Sequence, residues 1–160
     1  MDLAQNQIVD IGALVTMAKL ETLQLNQNKI IDLKALSGMR DLRVLNLQHN
    51  QVTDLKPLVG LKKLRELHLN NNRITDLKPL AAMKELRTLH LGGNQMTDLA
   101  PLMGLVSLRE LSIVGSANIR FPDVVKLQEA LPKTQIQHNA TQTEIQFINK
   151  TKGPIVVRWV

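Results

Sequence analysis

Residues 64 to 83 read Leu64-Arg-Glu-Leu67-His-Leu69-Asn-Asn-Asn72-Arg-Ile74-Thr-Asp76-Leu77-Lys-Pro-Leu80-Ala-Ala-Met83, and nearly the same stretch stands 22 residues earlier and 22 residues later. The frame maps back onto Leu42, Leu45, Leu47, Asn50, Val52, Asp54, Leu55, Leu58 and Leu61. It maps forward onto Leu86, Leu89, Leu91, Asn94, Met96, Asp98, Leu99, Leu102 and Leu105. A fixed period of this kind describes a unit that buries its apolar face only by stacking on its neighbours.

Further upstream, Leu20, Leu23, Leu25, Asn28, Ile30, Asp32, Leu33, Leu36 and Met39 make one more complete turn. Before it, Met1, Leu3, Asn6, Ile8, Asp10, Ile11, Leu14 and Met17 fill the later positions of a truncated turn that lacks its opening leucine. Such an uncapped end exposes apolar surface. The expectation is either a longer protein upstream or pairing of Met1 to Leu3 with another chain. Downstream, Leu108, Leu111 and Ile113 open a last turn, but Ser116 stands where asparagine belongs and the spacing changes. Val124, Leu127, Ala130 and Leu131 then fall at helical spacing before Pro132, and Thr134 to Gln137 reads as a final strand around Ile136.

Inside each turn the two leucines of L-x-L alternate with polar residues, which predicts a short parallel strand. The asparagine column, Asn6, Asn28, Asn50, Asn72 and Asn94, sits where the chain leaves the strand, placed to satisfy buried backbone groups with its amide. The aspartate column, Asp10, Asp32, Asp54, Asp76 and Asp98, reads as N-caps of short convex helical segments, with Pro57, Pro79 and Pro101 in the first turn, where a missing N–H is tolerated. Capping accounts for all five carboxylates without acid–base or calcium chemistry.

The L-x-x-L-x-L-x-x-N frame with I-x-D-L-x-x-L resembles the internalin-like class of leucine-rich repeat proteins over residues 1 to about 137. The resemblance implies a right-handed solenoid of the α/β class, with a parallel sheet on the concave face, short helical or 3-10 turns on the convex face and a C-terminal capping helix. It also implies a scaffold for protein–protein interaction, whose partner lies on the concave strands and whose repeat carries no catalytic residues. A second resemblance covers Glu144 to Thr151 and Pro154 to Val160, where F-x-N-x-[ST] is followed by a strand tryptophan, as at the start of a von Hippel-Lindau β domain. It implies a hydroxyproline-binding, ubiquitin-ligase-type recognition role in which Trp159 lines the pocket. The strands supplying the rest of that pocket would lie past Val160. Read on residues alone, Ile145, Phe147, Ile155, Val157 and Trp159 alternate as a β-hairpin. Two strands alone are marginal in water, so the hairpin is expected to be either loosely ordered or completed by another molecule, with self-association through the hairpin or the uncapped first turn as the favoured completion. The domain reading is therefore 1–137 for the repeats and cap, and 138–160 for a linker and hairpin.

Partner-binding candidates on the concave face are Gln24, Asn26, Asn46, Gln48, Glu66, His68, Asn70, Thr88, His90, Glu110 and Ser112. The strip is neutral and hydrogen-bonding, without the Trp, Tyr and Arg anchors that favour tight binding. His68 and His90 share one template position in adjacent turns, which opens a second reading as a metal site with His49 or Glu66 as third ligand. Arg43, Arg65, Arg87 and Arg109 form a basic column, and Lys34, Lys56 and Lys78 another. The formal charge of +6 is more a matter of solubility than of nucleic-acid binding. Zero cysteines remove disulfides, zinc–thiolate sites and thiol nucleophiles. No nucleophile–base pair or phosphate loop stands out, so neither catalysis nor a cofactor is expected. No apolar run approaches a membrane span, and the first residues have no signal-peptide pattern, which leaves the compartment open.

Overall fold

The computed structural model describes residues 1–139. The expected tail hairpin and Trp159 lie outside the described residues. Six three-residue strands stack in sequence order into one parallel sheet: β1 (Thr22–Gln24), β2 (Val44–Asn46), β3 (Glu66–His68), β4 (Thr88–His90), β5 (Glu110–Ser112) and β6 (Gln135–Gln137). Their central residues, Leu23, Leu45, Leu67, Leu89, Leu111 and Ile136, pair directly across the ladder. The period in the sequence is thus the register of the sheet. These six central residues are buried to between 0% and 1% exposure, and with the other apolar columns they form one continuous core along the solenoid.

The convex side returns through 3-10 turns at Gly12–Thr16, Lys34–Leu36, Lys56–Leu58, Lys78–Ala82 and Ala100–Leu102. These segments are too short for i→i+4 bonding, and proline at their second position in the last three suits the tighter i→i+3 pattern, as in Leu58 N–H donating to Leu55 O at 2.9 Å. The aspartates are not the N-caps that the sequence implies: the N-cap position belongs to the residue after each, Leu33, Leu55, Leu77 and Leu99. Each aspartate Oδ1 instead accepts the N–H two residues on, at 2.7 to 2.9 Å, an Asx-turn that launches the segment.

The buried asparagines hold consecutive turns together. Asn50 Nδ2 donates to Leu25 O of the preceding turn and Leu47 O of its own, while its Oδ1 accepts from Ile30 N–H; Asn28, Asn72 and Asn94 repeat the arrangement. One residue before each asparagine the chain turns through positive φ, at Gln5, Gln27, His49, Asn71 and Gly93, with Gly115 ahead of Ser116. A Cβ at Gly93 would run into the Asn71 amide, which would have to turn aside to admit any other residue.

At the C-terminal end the single α-helix among the described residues, α1 (Phe121–Ala130), buries Phe121, Val124, Val125 and Leu127. His138, placed in the linker by composition, is buried and stacks on Phe121 with ring centroids 6.1 Å apart. At the other end, Asp2 bridges Gln24 in parallel, with Leu3 N–H donating to Gln24 O and Gln24 N–H to Met1 O. The first turn therefore has one edge paired with β1 of its own chain.

Candidate functional site

The concave surface is set by strand alternation. Leu67 points inward, so Glu66 and His68 on either side of it point out, and the direct pairing of His68 with His90 repeats this across adjacent strands. The two imidazoles meet Nδ1 to Nδ1 at 3.1 Å, rings at 77° and centroids 4.7 Å apart. On the next strand, Glu110 Oε1 lies 3.2 Å from His90 Nε2. A carboxylate accepts only, so His90 donates through Nε2, and in its neutral form its Nδ1 then accepts from His68 Nδ1–H. The three side chains form one hydrogen-bonded row across β3, β4 and β5, with the Nε2 of His68 left unprotonated. Burial, reinforced by His90 beside it, pushes the His68 pKa below its ordinary value, while Glu66 and Glu110 pull it the other way.

The other candidates divide by what they already hold. Asn70 Oδ1 accepts from Gly92 N–H at 2.8 Å and Asn46 Oδ1 from Gln48 N–H at 3.1 Å, so both amides brace backbone as well as facing the concavity. Gln24, Asn26, Gln48 and Thr88 are half-buried, and Glu66 is exposed. Ser112, expected among the contact residues, is only 8% exposed: its neighbours in register, His90 and Gln137, carry larger side chains that shade it. Of the third ligands that the metal reading named, His49 places its Nε2 3.2 Å from Asn71 Nδ2, and Glu66 is exposed. Among the described residues no group of three or more His, Cys, Asp or Glu is placed to hold a metal ion. No described helix is long and apolar enough to cross a membrane.

The leucine rich repeat family matches residues 1–52 and 62–117, and its two-copy form matches 40–82. Among solved structures, an internalin (inlF) of Listeria monocytogenes superposes with a TM-score of 0.79 at 30% identity, covering 86% of this chain and 40% of that one. A leucine-rich repeat protein of Leptospira interrogans superposes at 0.62 with 26% identity, covering 82% of this chain and again 40% of the other. Internalin C2 of Listeria monocytogenes, at 24% identity and a TM-score of 0.71, shares the fold over 99% of this chain and 79% of its own. The chain thus spans about two fifths of the length of the first of these internalins. No curated protein sequence matches it significantly.

Proposed function

The chain belongs to the leucine-rich repeat family and is internalin-like in its repeat and fold, and from that premise we propose that it is a scaffold that holds a protein partner on its concave sheet around His68 and His90. Folds of this kind serve typically as binding scaffolds without catalysis. The observation that carries the reading is the ordered row of His68, His90 and Glu110 on three adjacent strands. It presents fixed polar groups on rigid backbone, so contact with a partner costs little conformational entropy. The convex lysines Lys56 and Lys78 are exposed and would have to be ordered on binding.

Site-specific photo-cross-linking tests the assignment. A photoreactive residue at Gln48 or Thr88 is expected to capture a discrete protein from a cell extract, and one at Lys56 or Lys78 is not. The product should disappear in the double variant His68→Ala, His90→Ala while its melting temperature changes little, because neither ring is part of the core. A product formed only from the lysine positions would move the functional surface to the convex side.

A further inference from the structure

The corner that leads into the strands carries a charge pattern that the concave assignment does not use. Arg43, Arg65, Arg87 and Arg109 occupy one template position in successive turns, and their backbones form a continuous ladder: Arg65 N–H donates to Arg43 O, Arg87 to Arg65 and Arg109 to Arg87, each at 2.8 Å. Lys19, Arg40, Lys62, Lys63 and Lys84 stand in the residues just before. Against these nine cations the edge has three carboxylates, Glu21, Asp41 and Glu85. Its surplus of six equals the formal charge of the whole chain, so the rest of the sequence is balanced. Two of the carboxylates are taken up at one end. Asp41 meets Lys63 at 2.7 Å, with Lys19 and Arg43 close enough to favour its ionised form, and Glu21 meets Arg43 at 3.4 Å. Glu85 stands 3.6 Å from Arg65, too far for a hydrogen bond. Arg87 and Arg109 are exposed and have no ion pair among the described residues.

From this edge we infer a second docking surface, for an acidic helix of a partner protein laid along the solenoid axis across the arginine ladder. Spacing selects the helix. Adjacent strands stand about 4.8 Å apart, so the four arginines sample one line at intervals of about 4.8 Å over about 14 Å. Carboxylates at positions i, i+3, i+7 and i+10 of a helix share one face and rise by about 4.5, 10.5 and 15 Å, staying near the ladder throughout. An extended segment presents one face every second residue, about 6.7 Å, and overshoots by about 6 Å at its fourth contact. Each guanidinium offers a fork that suits a carboxylate bidentately. Nucleic acid fits less well: the edge has no aromatic ring on which bases stack.

The test uses the full chain and two alanine-based helical peptides of identical composition, one with glutamates at i, i+3, i+7 and i+10 and one with the same glutamates spread around the helix. Fluorescence anisotropy is expected to show tighter binding of the first. Arg87→Glu with Arg109→Glu should weaken it by about tenfold, and raising ionic strength past about 0.5 M should abolish it. The variant His68→Ala, His90→Ala should bind the peptide unchanged, which keeps this surface distinct from the concave one. Equal binding of the two peptides, or indifference to the arginine reversals, overturns the inference. Inorganic polyphosphate serves as the third probe: if it binds through Arg87 and Arg109 while the in-register helix does not, the edge is a generic polyanion surface and the helix assignment is wrong.

Discussion

Each buried asparagine closes backbone groups that no water can reach. Asn72 donates to Leu47 O at 2.9 Å and Leu69 O at 3.0 Å, and accepts from Val52 N–H at 2.9 Å. Asn72→Ala strands these partners, and one buried unsatisfied group costs roughly 1 to 3 kcal/mol, so urea denaturation should show a loss of about 3 kcal/mol or more. Ser116 occupies the same template position, but its Oγ is buried with no hydrogen-bond partner among the described residues. Ser116→Ala should therefore lie within about 0.5 kcal/mol of the parent; a loss as large as that of Asn72→Ala would mean the hydroxyl is bonded after all. His68 gives a pH-dependent contribution of known sign. Its folded pKa lies below the ordinary histidine value, so between the two the unfolded chain binds more protons, and stability present above about pH 6.5 is lost as pH falls through that window. The melting temperature should drop between about pH 7.5 and pH 5 more in the parent than in His68→Ala; an identical drop in both would remove His68 from the account. The 22-residue spacing makes the pairing of His68 with His90 legible in the sequence, because register follows from the repeat. The contact with Glu110 and the shading of Ser112 depend on side-chain rotamers and on the bulk of register neighbours, which spacing does not encode.

At the scale of elements, a strand of three residues has almost no stability of its own and is held by what it stacks on. Leu67 is fully buried between Leu45 and Leu89 on the flanking strands. Leu67→Ala should cost roughly 2 to 5 kcal/mol, measured by chemical denaturation, because the leucines on both sides are fixed by their own turns and collapse poorly into the space. A cost below about 1 kcal/mol would mean that the ladder relaxes freely around a gap. Strands, core columns, capping helix and final strand are legible in the sequence because period two, period 3.6 and the fixed repeat each leave a hydrophobic signature. The convex turns are legible only in part. The residue pattern Asp-Leu-x-x-Leu marks where a turn starts, but the choice of an Asx-turn leading into a 3-10 segment is made by the few residues available before the chain must return to the sheet. The left-handed column is harder still to read: Gly93 and Gly115 announce it, whereas Gln27 and His49 adopt the same positive φ with nothing in their side chains to signal it. There the backbone conformation is imposed by the repeat on whatever residue occupies the position.

For the molecule as a whole, stability is a sum over neighbouring turns, and each hydrogen bond that joins turns recurs one period of 22 residues later: Arg65 N–H to Arg43 O, then Arg87 N–H to Arg65 O. Removing one period should therefore leave every remaining residue with an equivalent neighbour. Deletion of residues 64–85 joins Lys63 to Leu86, stacks Leu89 on Leu45 and lets Asn94 donate to Leu47 O where it had used Leu69 O. Deletion of 53–74 cuts at different places, on the far side of the strands, yet joins Val52 to Thr75 in the same frame. Both variants should fold cooperatively with melting temperatures that agree with each other and fall below the parent, each having lost one turn and one interface. Deletion of 64–74 is half as long but removes the strand Glu66–His68 and keeps its convex return, so β2 and β4 are left separated by a turn with no strand beneath it. Circular dichroism and thermal melts should show that this smaller deletion is the more damaging one. If damage instead follows the number of residues removed, or if only one of the two full-period deletions folds, the turns are not interchangeable and cooperativity resides in particular contacts of the chain and not in the repeat itself.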